Sequence, residues 1–144
     1  MTQSFIAPGI SQMSPYLMVK DPDSTIAFYQ KAFGFDLAEE GAMKDENGVT
    51  QHVHMKMGDV HVMFGREGSY DVPNKSPISS KSAPGAIFYV YCANTDAQFK
   101  KAIAAGAKVL KEPQDTFWDD RICSVEDQDG YHWTFATHIG KSSK

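Results

Sequence analysis

Cysteine is scarce in this chain: only Cys92 and Cys123 occur among its 144 residues. Two thiols cannot build a disulfide framework. Because Met1–Val19 has neither the basic start nor the sustained apolar core of an export signal, both read as reduced and buried. Long apolar runs are also missing, so no segment is expected to span a bilayer and the protein is expected to be cytoplasmic. Clustered positive charge is absent too: 14 Lys and Arg against 18 Asp and Glu leave a net charge of −4. That balance argues against nucleic acid or an anionic membrane as a partner. There is no glycine-rich phosphate loop, no nucleophile elbow and no Cys-His-Asn set, so nucleotide binding and nucleophilic catalysis have no support. What remains is the ordinary composition of a soluble globular chain, with 42% hydrophobic and 22% charged residues and length enough for one domain with a substantial core.

Local signals order the chain. Residues 1–13 show no period and read as an N-terminal arm. Pro15–Lys20 has the length of a short strand. Asp21 as N-cap, Pro22 at the first helical position and the spacing of Ile26, Tyr29 and Phe33 predict a helix that Gly34 closes. Phe35–Lys44, Val49–Met57 and Val60–Gly65 read as strands, joined by turns at Asp45-Glu46-Asn47-Gly48 and Gly58-Asp59. Residues 66–84, with three prolines and five serines, carry no hydrophobic period and form a long connection: a disordered linker, a lid, or an arm on a partner subunit. Gly85–Cys92 follows as a strand with a continuous apolar-aromatic run. A helix capped by Asn94 or Thr95 and ended by Gly106 comes next, then strands at Ala107–Lys111, Trp118–Val125 and Tyr131–His138. Residues 139–144 are a tail.

The last strand is the most informative. The acidic turn Asp127-Gln128-Asp129-Gly130 leads into an alternation in which Tyr131, Trp133 and Phe135 point one way. His132, Thr134, Ala136 and His138 point the other. Such a strand separates a packed layer from a ligand-accessible face.

The order strand, helix, strand, strand, strand occurs twice, and the residues repeat with it. Ala27–Phe33 matches Ala97–Ile103 at an offset of 70, and the Gly58–Phe64 stretch matches the one ending at Phe135 at an offset near 71, pairing His61 with His132. Self-similarity at half the chain length marks an internal duplication. The expected fold is α+β: two tandem βαβββ modules forming a curved, half-open eight-stranded sheet with helices outside. The first module spans residues 14–65 and the second 85–138, within one domain of residues 14–138.

With Pro15-Tyr16-Leu17-Met18-Val19, Ile26–Gly34, Met57-Gly58-Asp59, Phe117–Arg121 and Trp133–His138, the chain resembles the vicinal oxygen chelate superfamily. That superfamily contains glyoxalase I, bleomycin-resistance proteins and extradiol dioxygenases, and within it the chain looks most like the PhnB-like branch. The resemblance implies the glyoxalase fold and, in metal-dependent members, one divalent ion held by the first and last strands of each module. The positions carried over are Ser14 and Val62 or Met63 in the first module, Ala86 and Thr134 in the second. None is the His, Glu or Gln that such members use, so no metal cofactor is expected. The alternative is a Zn, Ni, Mn or Fe ion in a rearranged ligand set that includes His61 or His132. Gln128 and Asp119 stand where the family more often has proline and glycine, which bears on turn geometry.

Five histidines remain as candidates. His52 and His54 share a face of their strand. His61 and His132, equivalent in the repeat, are each two residues before an inherited metal position and are expected to face the ligand. His138 belongs at the rim. Arg121 suits an anionic group, or an ion pair with Asp119, Asp120 or Glu126. Tyr16, Met18, Phe88 and Trp118 are expected to line a pocket with Met63 and Thr134 and to stack on a flat ligand. The residues thus favour binding of a small, partly aromatic or anionic molecule, and the resemblance implies a homodimer. The alternative is a metal-dependent lyase, isomerase or dioxygenase.

Overall fold

The structure is a computed structural model that describes residues 4–140. Residues 1–3 of the expected arm and 141–144 of the expected tail lie outside the described residues. The chain divides into two compact units, one comprising residues up to Gln30 together with Gly34–Ser76, the other Lys31–Phe33 together with the chain from Pro77 onward.

The first unit contains β1 (Tyr16–Val19), most of α1 (Pro22–Phe33), β2 (Asp36–Lys44), β3 (Thr50–Met57) and β4 (Val60–Arg66). Its sheet has the order β1-β4-β3-β2, with β1 parallel to β4 and the other pairs antiparallel. The helix begins as its cap chemistry requires: the Asp21 carboxylate accepts from the Asp23 amide, and Gly34 ends it at φ 89°. In the β2–β3 hairpin, Asp45 Oδ1 accepts from the amides of Asn47 at 2.9 Å and Val49 at 3.0 Å. Alternation then sorts the strands. Leu17, Val19, Val53, Met55, Val62 and Phe64 are buried with Tyr29 and Phe35, and Tyr29 meets Phe64 edge to face at 5.6 Å. Each such side chain taken fully from water contributes about 1.5–3 kcal/mol.

The second unit contains α2 (Pro77–Ser80), β5 (Ile87–Tyr91), α3 (Thr95–Ala104), β6 (Lys108–Asp115), β7 (Asp120–Glu126) and β8 (His132–His138). Its sheet order is β5-β8-β7-β6, again with the first strand parallel to the last. Asn94 caps α3 by accepting from the Ala97 amide. One face of the sheet is packed: Trp133 lies 4.9 Å from Phe88 and 5.0 Å from Phe33, with Val90, Cys123, Val125 and Phe135 buried alongside. The expected α+β fold of two tandem βαβββ modules is what the chain forms, with its strands as two four-stranded sheets.

Three segments differ from the sequence reading. The connection at residues 66–84 is structured, with a 3-10 turn at Ser69–Asp71 and the short helix α2, and the Ile78 amide donates to the Asp129 carbonyl at 3.1 Å. Strand β6 runs on through Pro113 to Asp115. It is an edge strand, where a missing N–H breaks no ladder bond, and its register shifts between Lys111 and Gln114. Strand β7 starts at Asp120 because Thr116–Asp119 forms a turn in which Asp119 itself adopts φ 66°. Among the described residues no helix is long and apolar enough to cross a membrane. Both cysteines are unbridged; burial raises the Cys123 thiol to about 11, while Cys92 is half-buried.

Candidate functional site

The face of the second sheet opposite its aromatic core is built from cross-strand pairs between β7 and β8, with Asp120, Ile122, Thr134 and Ala136 buried and His132 and His138 more accessible. Glu126 is opposite His132, Ser124 opposite Thr134, Ile122 opposite Ala136 and Asp120 opposite His138. Three of these four pairs are polar and hydrogen-bonded. His132 Nε2 lies 3.2 Å from Glu126 Oε1, Ser124 Oγ 2.7 Å from Thr134 Oγ1, and His138 Nδ1 2.9 Å from Asp120 Oδ1.

Asp120 is the hub of the far end. Its Oδ2 accepts from the Tyr89 hydroxyl at 2.6 Å and the Tyr91 hydroxyl at 2.8 Å, and Trp118 Nε1 donates to the Tyr89 oxygen at 3.0 Å. The Tyr89 hydrogen bond, supported by those from His138 and Tyr91, holds the carboxyl at about 2 against the opposing effect of burial. Burial and then Asp120 raise the Tyr89 phenol; for Tyr91 the Asp120 hydrogen bond leads. At neutral pH the carboxylate is therefore ionised and both phenols keep their protons. The polar ends of Tyr89, Tyr91 and Trp118 are pinned, yet all three stay more than a third exposed. Pinned aromatic side chains with accessible surface suit a flat ligand, because little side-chain entropy is left to lose on binding.

At the near end, β8 is entered through a turn that its own acid organises. Asp127 Oδ1 accepts from the amides of Asp129 and Tyr131, both at 2.9 Å, and Oδ2 accepts from Trp133 Nε1 at 3.0 Å. Gly130 takes φ 93°, and a Cβ there would lie 2.9 Å from Pro77 Cβ. The 77–84 segment therefore closes tightly over the turn. Between them is a cavity of about 400 Å³, walled by Pro77, Ile78 and residues 81–84 and floored by Glu126, Gly130 and His132. Its size suits a small molecule. Its walls are mostly apolar, with Lys81, Ser82 and the His132–Glu126 pair as polar contacts.

The corresponding face of the first sheet carries Tyr16, Met18, His52, His54, His61 and Met63, since Tyr16 is in register with Met63, Met18 and His52 with Gly65, and His54 with Met63. The Tyr16 hydroxyl is 3.1 Å from His52 Nδ1, and the two rings stack at 5.5 Å. His54 Nε2 is 2.9 Å from His61 Nδ1. Burial lowers both His52 and His54, and His61, His52 and Lys56 lower His54 further.

Two expected ligand contacts are placed elsewhere. Phe88 lies half-buried on the packed face of its sheet, in register with Trp133 and 4.9 Å from it; Tyr89, its neighbour, is on the opposite face. Arg121 is also on the packed side. Its guanidinium donates to both Asp96 oxygens, with the closer at 3.1 Å, and to Asp115 at 2.9 Å, and these bonds, Asp96 first, raise its pKa. An ion pair had been expected, but with Asp119, Asp120 or Glu126, its neighbours in sequence. The sequence reading missed Asp120, Tyr89 and Tyr91. The signal for the tyrosines was hydroxyl-bearing aromatics two apart in a strand otherwise read as uniformly apolar.

The donor set does not suit the family's divalent ion. Ser14 Oγ is engaged with Ser11 Oγ at 3.1 Å, Thr134 with Ser124, Val62 is buried, Met63 offers only a soft thioether, and Ala86 has no donor. Among the described residues no group of three or more His, Cys, Asp or Glu converges as a metal site. A hard or borderline dication needs several such ligands.

Comparison with known proteins agrees with the fold. The sequence pattern of the Glyoxalase/Bleomycin resistance protein/Dioxygenase superfamily matches residues 9–135, and the chain belongs to that superfamily. It is 34% identical over 129 residues to the uncharacterized protein Mb0911c of Mycobacterium bovis, covering 88% of this chain and 83% of that one. Among solved structures, TioX from Micromonospora sp. ML1 superposes with a TM-score of 0.68 at 27% identity, over 90% of this chain and 100% of TioX. The structure of a Bacillus cereus PhnB protein, described as a putative 3-demethylubiquinone-9 3-methyltransferase, matches with a TM-score of 0.62 at 17% identity, over 88% of this chain and 99% of that one. At that identity the likeness is one of fold.

Proposed function

We propose that this superfamily member binds a small, partly aromatic or anionic molecule on the open face of its second sheet, without the divalent ion of its metal-dependent relatives. The observation that carries the reading is the cavity of about 400 Å³ over the His132–Glu126 pair. Its apolar walls suit an aromatic body, Lys81 and His132 suit an anionic group, and Thr134, Tyr89 and Trp118 extend the same face. The chemistry of the inherited metal positions supports a metal-independent mode. On the first sheet, Tyr16, Met18, His61 and Met63 form a second lined face. The reading takes the protein as a cytoplasmic homodimer of the PhnB-like branch. Ile87 on edge strand β5, and Val109 and Leu110 on edge strand β6, expose apolar surface suited to a partner copy.

The test is a thermal-shift screen of chelator-treated protein against aromatic carboxylates, catechols and glycopeptides, with light scattering alongside. Stabilisation by a ligand that His132→Ala and Lys81→Ala each abolish supports the proposal. Binding that appears only after Mn²⁺, Fe²⁺ or Ni²⁺ is added contradicts it, and a monomeric mass at micromolar concentration contradicts the dimer.

A further inference from the structure

Three side chains able to ligate a metal, His54, His61 and Met63, adjoin on the first sheet, apart from the cavity of the second. Strands β3 and β4 pair with His54 opposite Met63 and Lys56 opposite His61. Residues two apart on one strand share a face, so His54, His61 and Met63 occupy three adjoining positions of that face. The closest ring nitrogens, His54 Nε2 and His61 Nδ1, are 2.9 Å apart. We propose that His54, His61 and Met63 form a binding site for a single copper(I) ion, independent of the ligand face of the second sheet.

An ion in place of the shared proton requires the two rings to separate and tilt. With metal–imidazole bonds of about 2.0–2.1 Å, nitrogens this close subtend roughly a right angle at the metal, and opening to a trigonal or tetrahedral angle takes about half an ångström. Adjustment on that scale lies within ordinary side-chain movement. His54 is half-buried.

The identity of the ion follows from what surrounds the pair. No third His, Cys, Asp or Glu converges with it among the described residues. The residue directly opposite His61 is Lys56, a cation. Neutral donors beside an ammonium serve a dication poorly. Thioether and imidazole ligands suit a soft, monovalent ion that accepts low coordination numbers, and that is copper(I). The second unit has no counterpart, because Ser124, Thr134 and Glu126 stand at the places of His54, Met63 and Lys56 in the matching register.

The experiment is an anaerobic titration of the full chain with copper(I), followed by NMR of imidazole nitrogens and methionine methyls and by competition with bicinchoninate. One equivalent is expected to shift His54 Nε2, His61 Nδ1 and the Met63 methyl while leaving Cys92 and Cys123 unchanged. His54→Gln, His61→Gln and the near-isosteric Met63→Leu should each weaken competition at least about tenfold, a loss that even supporting residues of metal sites cause. Circular dichroism verifies that each variant keeps its fold, and Met63→Leu, conserving volume, keeps the test available if a histidine variant does not. Uptake first at the cysteines, undiminished binding by Met63→Leu, or equal affinity for zinc overturns the proposal. Loss of the aromatic-ligand response in His132→Ala leaves this outcome untouched, so the two readings fail separately.

Discussion

His132 stands directly across the β7–β8 ladder from Glu126, with its Nε2 3.2 Å from the carboxylate. In the first unit the matching histidine, His61, stands across from Lys56 and bonds diagonally to His54 instead. A charge reversal, Lys56 against Glu126, together with His54 against Ser124 and Met63 against Thr134, separates the duplicated faces. One offers a histidine–carboxylate contact beneath a cavity, the other a pair of linked imidazoles. Lys56→Glu removes a cation that lowers His54. It is expected to raise the His54 pKa, and an NMR titration of the ring protons checks this.

Histidine burial sets a pH dependence. Burial lowers His52 and His54 from the ordinary value of 6.5, so below that value the unfolded chain binds protons that the folded chain resists. Stability therefore falls as pH drops through the ordinary 6.5 and levels off below the folded-state values. Thermal midpoints across that range test it, and His54→Gln should give a shallower slope.

Asp120 acts in the opposite direction on the pH scale. Its folded pKa of about 2 is below the ordinary 3.8, so its stabilising effect is complete above the unfolded value and is lost as pH falls through the folded one. Acid titration of wild type should show this loss between about pH 4 and pH 2, and Asp120→Asn should flatten that interval. In the same variant Trp118 fluorescence is expected to change, because its partner Tyr89 exchanges a charged acceptor for a neutral one.

The turn before β8 hangs on Asp127. Asp127→Ala removes an acceptor from two amides and an indole N–H, and is expected to cost about 3 kcal/mol, since hydrogen bonds to a charged group contribute about 1.5–3 kcal/mol and buried donors are left unmet. Asp127→Asn, which keeps one carbonyl oxygen, should cost less. Urea unfolding at constant m-value measures both.

Gly130→Ala tests the roof of the cavity. The added methyl meets Pro77 and a positive φ, a strain of about 1–3 kcal/mol. The expected result is faster protease cleavage within residues 77–84 and weaker ligand binding, while Trp133 emission, from the packed core, stays unchanged.

Much of the fold was legible because local chemistry and global pattern agree. Asp21, Pro22 and Gly34 bound α1, the alternation of Trp133 and Phe135 with His132 and Thr134 sorted the faces of β8, and the repeat supplied the topology. The site was less legible because side-chain partners depend on register and on distant segments. Arg121 pairs with Asp96, a helix residue 25 positions earlier, whereas sequence offered its neighbours. Asp120 looked like one acid among several until the β5–β8 and β7–β8 pairings brought Tyr89, Tyr91 and His138 to it. Helix α2, four residues rich in serine, has no period to detect.

The most direct test of the ligand face is amide NMR of chelator-treated protein titrated with a stabilising aromatic carboxylate from the screen. The account expects saturable shifts at Lys81, Gly130, His132 and Thr134 that persist without any divalent ion. Shifts that need added Mn²⁺, Fe²⁺ or Ni²⁺, or that leave the residues lining the cavity and its sheet face unmoved, contradict it.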